Sequence, residues 1–123
     1  MMGKRLRAFA PPVLTLTLTL ALALALLAGL ATAGEAKTPL GKWMKPNMGG
    51  ALAGQDFATL QKSFDVIAAK PPSGDYPQWV TLSKNGSAAS AKQDLGGVKA
   101  SCKGCHDAYK TKYQNEFPNR PFP

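Results

Sequence analysis

Beyond residue 37 the chain alternates between stretches where apolar residues recur every three or four positions and short clusters of Pro, Gly, Ser and Asp. That spacing puts side chains on one stripe of an α-helix, whereas a half-buried strand needs strict alternation. Four helices are predicted on this basis. The first runs from Thr38 to about Ala53, with Thr38 as cap, Pro39 at the first helical position and Gly54 as terminator. Pro46 and the pair Gly49-Gly50 predict a kink or break near Pro46. The second opens on Asp56, a natural N-cap, carries Phe57, Leu60, Phe64 and Ile67 on one face, and stops at Pro71-Pro72-Ser73-Gly74. The third starts around Asp75 with Pro77 in its first turn, places Trp79, Leu82 and Ala89 on one side, and is weakened by Gly86. The fourth opens at Asp94 and is the most regular, with Leu95, Val98, Cys102, Cys105, Tyr109, Tyr113 and Phe117 in register. Residues 118–123 hold three prolines and cannot be helical. Short loops between consecutive helices favour antiparallel neighbours. The expected fold is therefore all-α: a short antiparallel four-helix bundle with an irregular first helix.

The first 33 residues read differently. Lys4, Arg5 and Arg7 precede an almost unbroken Leu, Ala and Thr run over 13–30, and Ala31-Thr32-Ala33 follows as a small-x-small cleavage site. This is the pattern of a secretory signal peptide over 1–33, leaving a domain of 34–123 that ends in the Pro-rich tail 118–123. An uncleaved anchor is the alternative, because the apolar run is long enough to span a bilayer. Either way the remainder is expected outside the cytoplasm, in the periplasm. The full chain has net charge +8; three of its fifteen Lys and Arg lie in 1–33, so the remainder keeps twelve against seven acids, or +5. Ninety residues make one domain with a modest core, which gains from a covalent staple. The lysines are spread along every segment without interleaved aromatics. This describes a basic surface rather than a nucleic-acid groove. Such a surface is expected to steer encounter with an acidic partner, and any membrane contact is expected to be peripheral.

Chemistry is concentrated in Cys102-Lys103-Gly104-Cys105-His106, which holds both cysteines and the single histidine of the chain. C-x-x-C-H is the attachment site of c-type haem. Two thiols one helical turn apart can add to the two vinyl groups of one porphyrin edge as thioethers. The adjacent imidazole then reaches the iron. A dithiol redox pair would need a preceding strand and a βαβ pattern, and neither is evident. A zinc knuckle needs more Cys and His than the chain owns. The cofactor expected is one covalent haem c, with iron, per chain.

The stretch Val98 to Lys110 resembles the C-terminal haem helix of class II c-type cytochromes, the cytochrome c′ group. That group carries its motif on the last helix of a bundle and tends to place an aromatic and then a basic residue three and four positions after the histidine, as Tyr109 and Lys110 do here. The resemblance is specific over about 75–117 and general over 38–70, and this chain is shorter than usual members. It implies His106 as the proximal iron ligand and a distal ligand, if there is one, from the first helix. Met44 and Met48 are the candidates there. They lie four apart and share a helical face. Met44 is preferred because it precedes Pro46 and follows Trp43, whose ring could wall the haem. The resemblance also allows a homodimer through the first two helices.

The candidate cofactor-binding residues are thus Cys102, Cys105, His106, Met44, Met48, Tyr109 and Lys110, with His106 and Met44 on the metal. The leading expectation is a periplasmic monohaem cytochrome that carries single electrons and is not an enzyme, its thioether ligand raising the potential. The alternative is a five-coordinate haem protein that binds NO or CO. A peroxidase would need polar distal groups, and there is no second histidine to serve as one.

Overall fold

The computed structural model describes residues 35–123, so the expected signal peptide and its cleavage site lie outside the described residues. Four helices and no strand make up the described part. Helix α1 consists of three consecutive pieces, an α-helix Pro39–Met44, a π-helix Lys45–Gly50 and a final α-turn Ala51–Ala53. Helix α2 is Phe57–Ala68, α3 is Trp79–Ala91 and α4 is Leu95–Glu116. Among the described residues no helix is long and apolar enough to cross a membrane.

The starts of three helices follow from single side chains. Thr38 Oγ1 accepts from the Gly41 amide at 3.0 Å, Asp56 from the Thr59 amide at 3.1 Å, and Asp94 from the Gly97 amide at 3.0 Å. Each bond satisfies an amide that the helix itself leaves open. The two tight corners are built alike. After α1, Asp56 N–H bonds Ala51 C=O at 2.8 Å and Gln55 N–H bonds Leu52 C=O at 3.1 Å. After α3, Asp94 N–H bonds Ala89 C=O at 2.9 Å and Gln93 N–H bonds Ser90 C=O at 3.0 Å. This double-bonded ending puts its hinge residue in the left-handed region, at φ 51° for Gln55 and 55° for Gln93. Gly54, expected to terminate α1, stays right-handed at φ −84°.

The kink or break expected near Pro46 takes the form of a change of winding, since α1 continues there as π-helix. Proline supplies no N–H and crowds the carbonyl four residues back, and a switch to i→i+5 bonding relieves both at once. The loosened carbonyls find side-chain donors: Asn47 Nδ2 reaches Trp43 C=O at 2.9 Å, and Ser63 Oγ of α2 reaches Asn47 C=O at 2.9 Å. Helix α3 begins at Trp79, not Asp75. Residues 75–78 form a turn whose Gln78 amide is taken by the Tyr109 hydroxyl at 2.7 Å.

The core joins Leu60, Phe64 and Ile67 of α2 to Trp79 of α3 and to Val98, Tyr109 and Tyr113 of α4, with Leu40, Met48 and Ala51 from α1. Helix α3 packs between α2 and α4 and presents a slim buried face of Trp79, Ser83, Gly86 and Ser90. Its serines can be buried because each hydroxyl bonds back into its own helix, Ser83 to Trp79 C=O at 2.7 Å and Ser90 to Gly86 C=O at 2.8 Å. Phe64 lies flat on Gly86, where a Cβ would stand 2.3 Å from its ring. Trp79 Nε1 closes the end of α2 by donating to Ile67 C=O at 2.9 Å. Helix α1 packs on α2, whereas the backbones of α1 and α4 stay apart, with side chains from both lining the space between them.

Candidate functional site

The space between α1 and α4 is a cavity. It is lined by Met44 and Met48 from α1, Phe64 and Ile67 from α2, Leu82 and Ser83 from α3, and Ser101, Cys102, Cys105 and His106 from α4. Both sulfurs and the imidazole of the Cys102-to-His106 motif thus open onto the same apolar space as the two methionines predicted to face them. Met44, at the end of the α-helical piece, and Met48, in the π-helical stretch, both reach that wall. Leu82 lies close to Gly104, where a Cβ would come within 3.3 Å of its Cδ2. The glycine inside the motif therefore lets α3 pack tightly behind the cysteines.

The thiols are free of any disulfide and half-buried. Burial pushes Cys105 up to about 11, with the neighbouring Cys102 adding to the shift. Cys102 is also raised, chiefly by burial. A dithiol oxidoreductase needs the reverse, a thiol with a depressed pKa that is thiolate at neutral pH. His106 is shifted down, first by loss of hydration, then by the charge of Lys110, against a smaller opposing effect of Asp107. Its ring is therefore held neutral, the form that binds a metal.

Two candidate residues fall elsewhere. Tyr109 does not line the cavity. Three residues after His106 the helix has turned its side chain into an aromatic cluster, with ring centroids 5.1 Å from Tyr76 and 6.2 Å from Trp79. Tyr76 is the hub of that cluster. Its hydroxyl donates to Glu116 Oε2 at 2.7 Å, and its ring also meets Tyr113 and Phe117. Lys110 is exposed on the outer face of α4 and bears on the site only through its charge. Conversely, Phe64, Ile67, Leu82, Ser83 and Ser101 line the cavity without having been singled out as site residues. Phe64, Ile67 and Leu82 had been read as helix-face residues; only the meeting of three helices reveals that part of that face is cavity wall.

Could these residues accept a haem? The donor chemistry fits: two thiols one turn apart, a neutral imidazole beside them, thioethers opposite and hydrocarbon walls between. Among the described residues no three His, Cys, Asp or Glu side chains converge on a metal. An iron here would accordingly need a porphyrin to complete its ligand set. The cavity is partly open to solvent and offers about 30 Å³. Seating a macrocycle would require the walls from α1 and α4 to stand further apart. Compared with known proteins, the chain matches no family model, no curated protein and no solved structure.

Proposed function

We propose that this protein is a monohaem c-type cytochrome that carries single electrons outside the cytoplasm, with its four helices arranged as a short antiparallel bundle. One observation carries the reading: Cys102, Cys105 and His106 share an apolar cavity with Met44 and Met48. When bound, the haem supplies the one-electron iron couple. The chain's own residues do the rest. Cys102 and Cys105 fix the porphyrin edge to α4. His106, kept neutral by its surroundings, takes the proximal position. Met44, half-exposed like the cysteines, is assigned the distal position; Met48 is buried deeper and is the second candidate. Phe64, Ile67 and Leu82 give the site its apolar wall, and a soft thioether there would raise the potential.

The outer surface of α4 suits an electron carrier. Lys99, Lys103 and Lys110 are all exposed and, at spacings of four and seven residues, share one stripe along the motif. Lys103 pairs with Asp107, and the remaining positive charge favours an acidic redox partner.

The test is the optical spectrum of protein purified from an exporting host. Colour that survives acid-acetone extraction establishes the covalent bond. A sharp reduced spectrum unmoved by carbon monoxide establishes a closed six-coordinate iron, and Met44→Leu should convert it to high spin while Met48→Leu does not. A broad high-spin spectrum that shifts with carbon monoxide would replace electron transfer by NO or CO binding. Colourless protein would refute the haem itself.

A further inference from the structure

The chain does not end with α4. Pro118, Pro121 and Pro123 stiffen residues 118–123, and this tail returns along the molecule instead of trailing from it. Phe122 sets its ring edge-on to Trp43 of α1, with centroids 5.0 Å apart. Arg120 Nη2 donates to Lys70 C=O at 3.1 Å and to Pro71 C=O at 3.4 Å, in the loop after α2. The same guanidinium lies over the Phe117 ring at 5.8 Å, and the Lys70 ammonium lies 6.0 Å from the Phe122 ring. Phe117 is itself anchored on Tyr113 and Tyr76. A continuous line of contacts therefore leads from the end of α4, through Arg120 and Phe122, to the residue next to Met44.

The placement matters because the backbones of α1 and α4 stay apart and only side chains meet across the cavity. Helix α1 is fastened to α2 through its π-helical part, where Ser63 bonds Asn47. Its first turns bury Leu40 in the core and carry Trp43 and Met44, both half-buried, with Trp43 against the tail. We propose that residues 117–122 act as a strap and that Phe122 is a positioning residue: by holding Trp43 it sets how far Met44 stands from His106 and how readily a small molecule enters between them. The inference rests on the haem reading for its consequence at iron, but not for the contact itself.

The experiment uses the haem-loaded protein and its Phe122→Ala and Phe122→Tyr variants. Two readouts are taken: the rate of carbon monoxide binding to the reduced protein, and amide hydrogen exchange in residues 40–47 against residues 60–67 of α2. Phe122→Ala should speed both carbon monoxide binding and exchange over 40–47 by about tenfold, the scale of one lost aromatic edge contact, with residues 60–67 unchanged. Phe122→Tyr should restore both. Equal acceleration in α2 would mean that Phe122 merely stabilises the fold, and no acceleration over 40–47 would mean that it holds nothing; either result overturns the proposal. A wild type that already binds carbon monoxide at once defeats the Met44 assignment. Exchange over 40–47 then decides the strap alone, faster in Phe122→Ala upholding it and unchanged refuting it.

Discussion

Adding one methyl group at Gly86 should be among the costliest small changes in this protein. A Cβ there would stand 2.3, 2.5 and 2.6 Å from three carbons of the Phe64 ring. Carbon pairs rest at ~3.5–4.0 Å, so each contact is too short by roughly 1 Å. Phe64 is only 5% exposed; relief requires α2 and α3 to part or the ring to turn into the cavity it lines. Overpacking of this kind costs roughly 1–3 kcal/mol, and three simultaneous overlaps place Gly86→Ala near about 3. Helix propensity returns about 1 kcal/mol, leaving a net loss of about 2 kcal/mol. For a domain of this size that is a fall in Tm of roughly 8–16 °C. Urea unfolding followed by far-ultraviolet circular dichroism measures it. Phe64→Leu alone should cost about 1 kcal/mol. In the double variant the two losses should fail to add by about 1 kcal/mol or more, since the shortened side chain clears the new methyl. If Gly86→Ala instead stabilises the protein, as it would at an open helix position, the close approach of α2 and α3 is misjudged.

The remaining predictions address the caps and the thiols. Gln93→Gly should stabilise the chain by about 0.5–1 kcal/mol, read from the urea midpoint, because glycine adopts the φ of 55° without strain. Asp56 is held below its usual value of 3.8, mainly by its side-chain bond to Thr59. Its folded pKa is depressed, so its contribution is complete above that value and is lost as pH falls through the lower folded one. Asp56→Asn, a cap without a charge, should lose less stability on acidification than the wild type in parallel acid titrations. In haem-free protein the raised pKa values of Cys102 and Cys105 should make both thiols slow to react with iodoacetamide at mildly alkaline pH, with Cys105 the slower; unfolding in urea should bring both to the rate of a simple peptide.

Residues whose role is local were legible in the sequence. Thr38, Asp56 and Asp94 cap because a short oxygen-bearing side chain ahead of an apolar period has one obvious use. The face of α4 was equally plain, since it keeps helical spacing. That Met44 and Met48 would turn toward the cysteines followed from the resemblance of α4 to a haem helix, because spacing alone puts them on one face without saying which partner that face meets. What escaped depends on a partner elsewhere. Pro46 signals a break, and nothing in its neighbours reveals that Ser63 will support a wider turn. Asp75 resembles a helix start until Tyr109 takes the Gln78 amide. Serines at 83 and 90 suggest solvent, yet they face inward because their hydroxyls are satisfied within their own helix. Tyr109 was assigned to the cofactor by its distance from His106 along the chain, whereas the rotation of the helix delivers it to Tyr76.

The π-helical stretch also works as a phase adjuster. Relative to an unbroken α-helix it accommodates one surplus residue, and each residue of helix is worth roughly 100° of rotation. Deleting a single residue between 45 and 50 should restore ordinary winding and leave the upstream turns with nearly the same bearing, because the wide turn had absorbed the extra residue. Trp43 and Met44 would keep their targets, whereas a further insertion, with no second wide turn to absorb it, would swing them away by about that angle. One short segment thus gives the chain a tolerance for its own length that the ordinary turns around it lack.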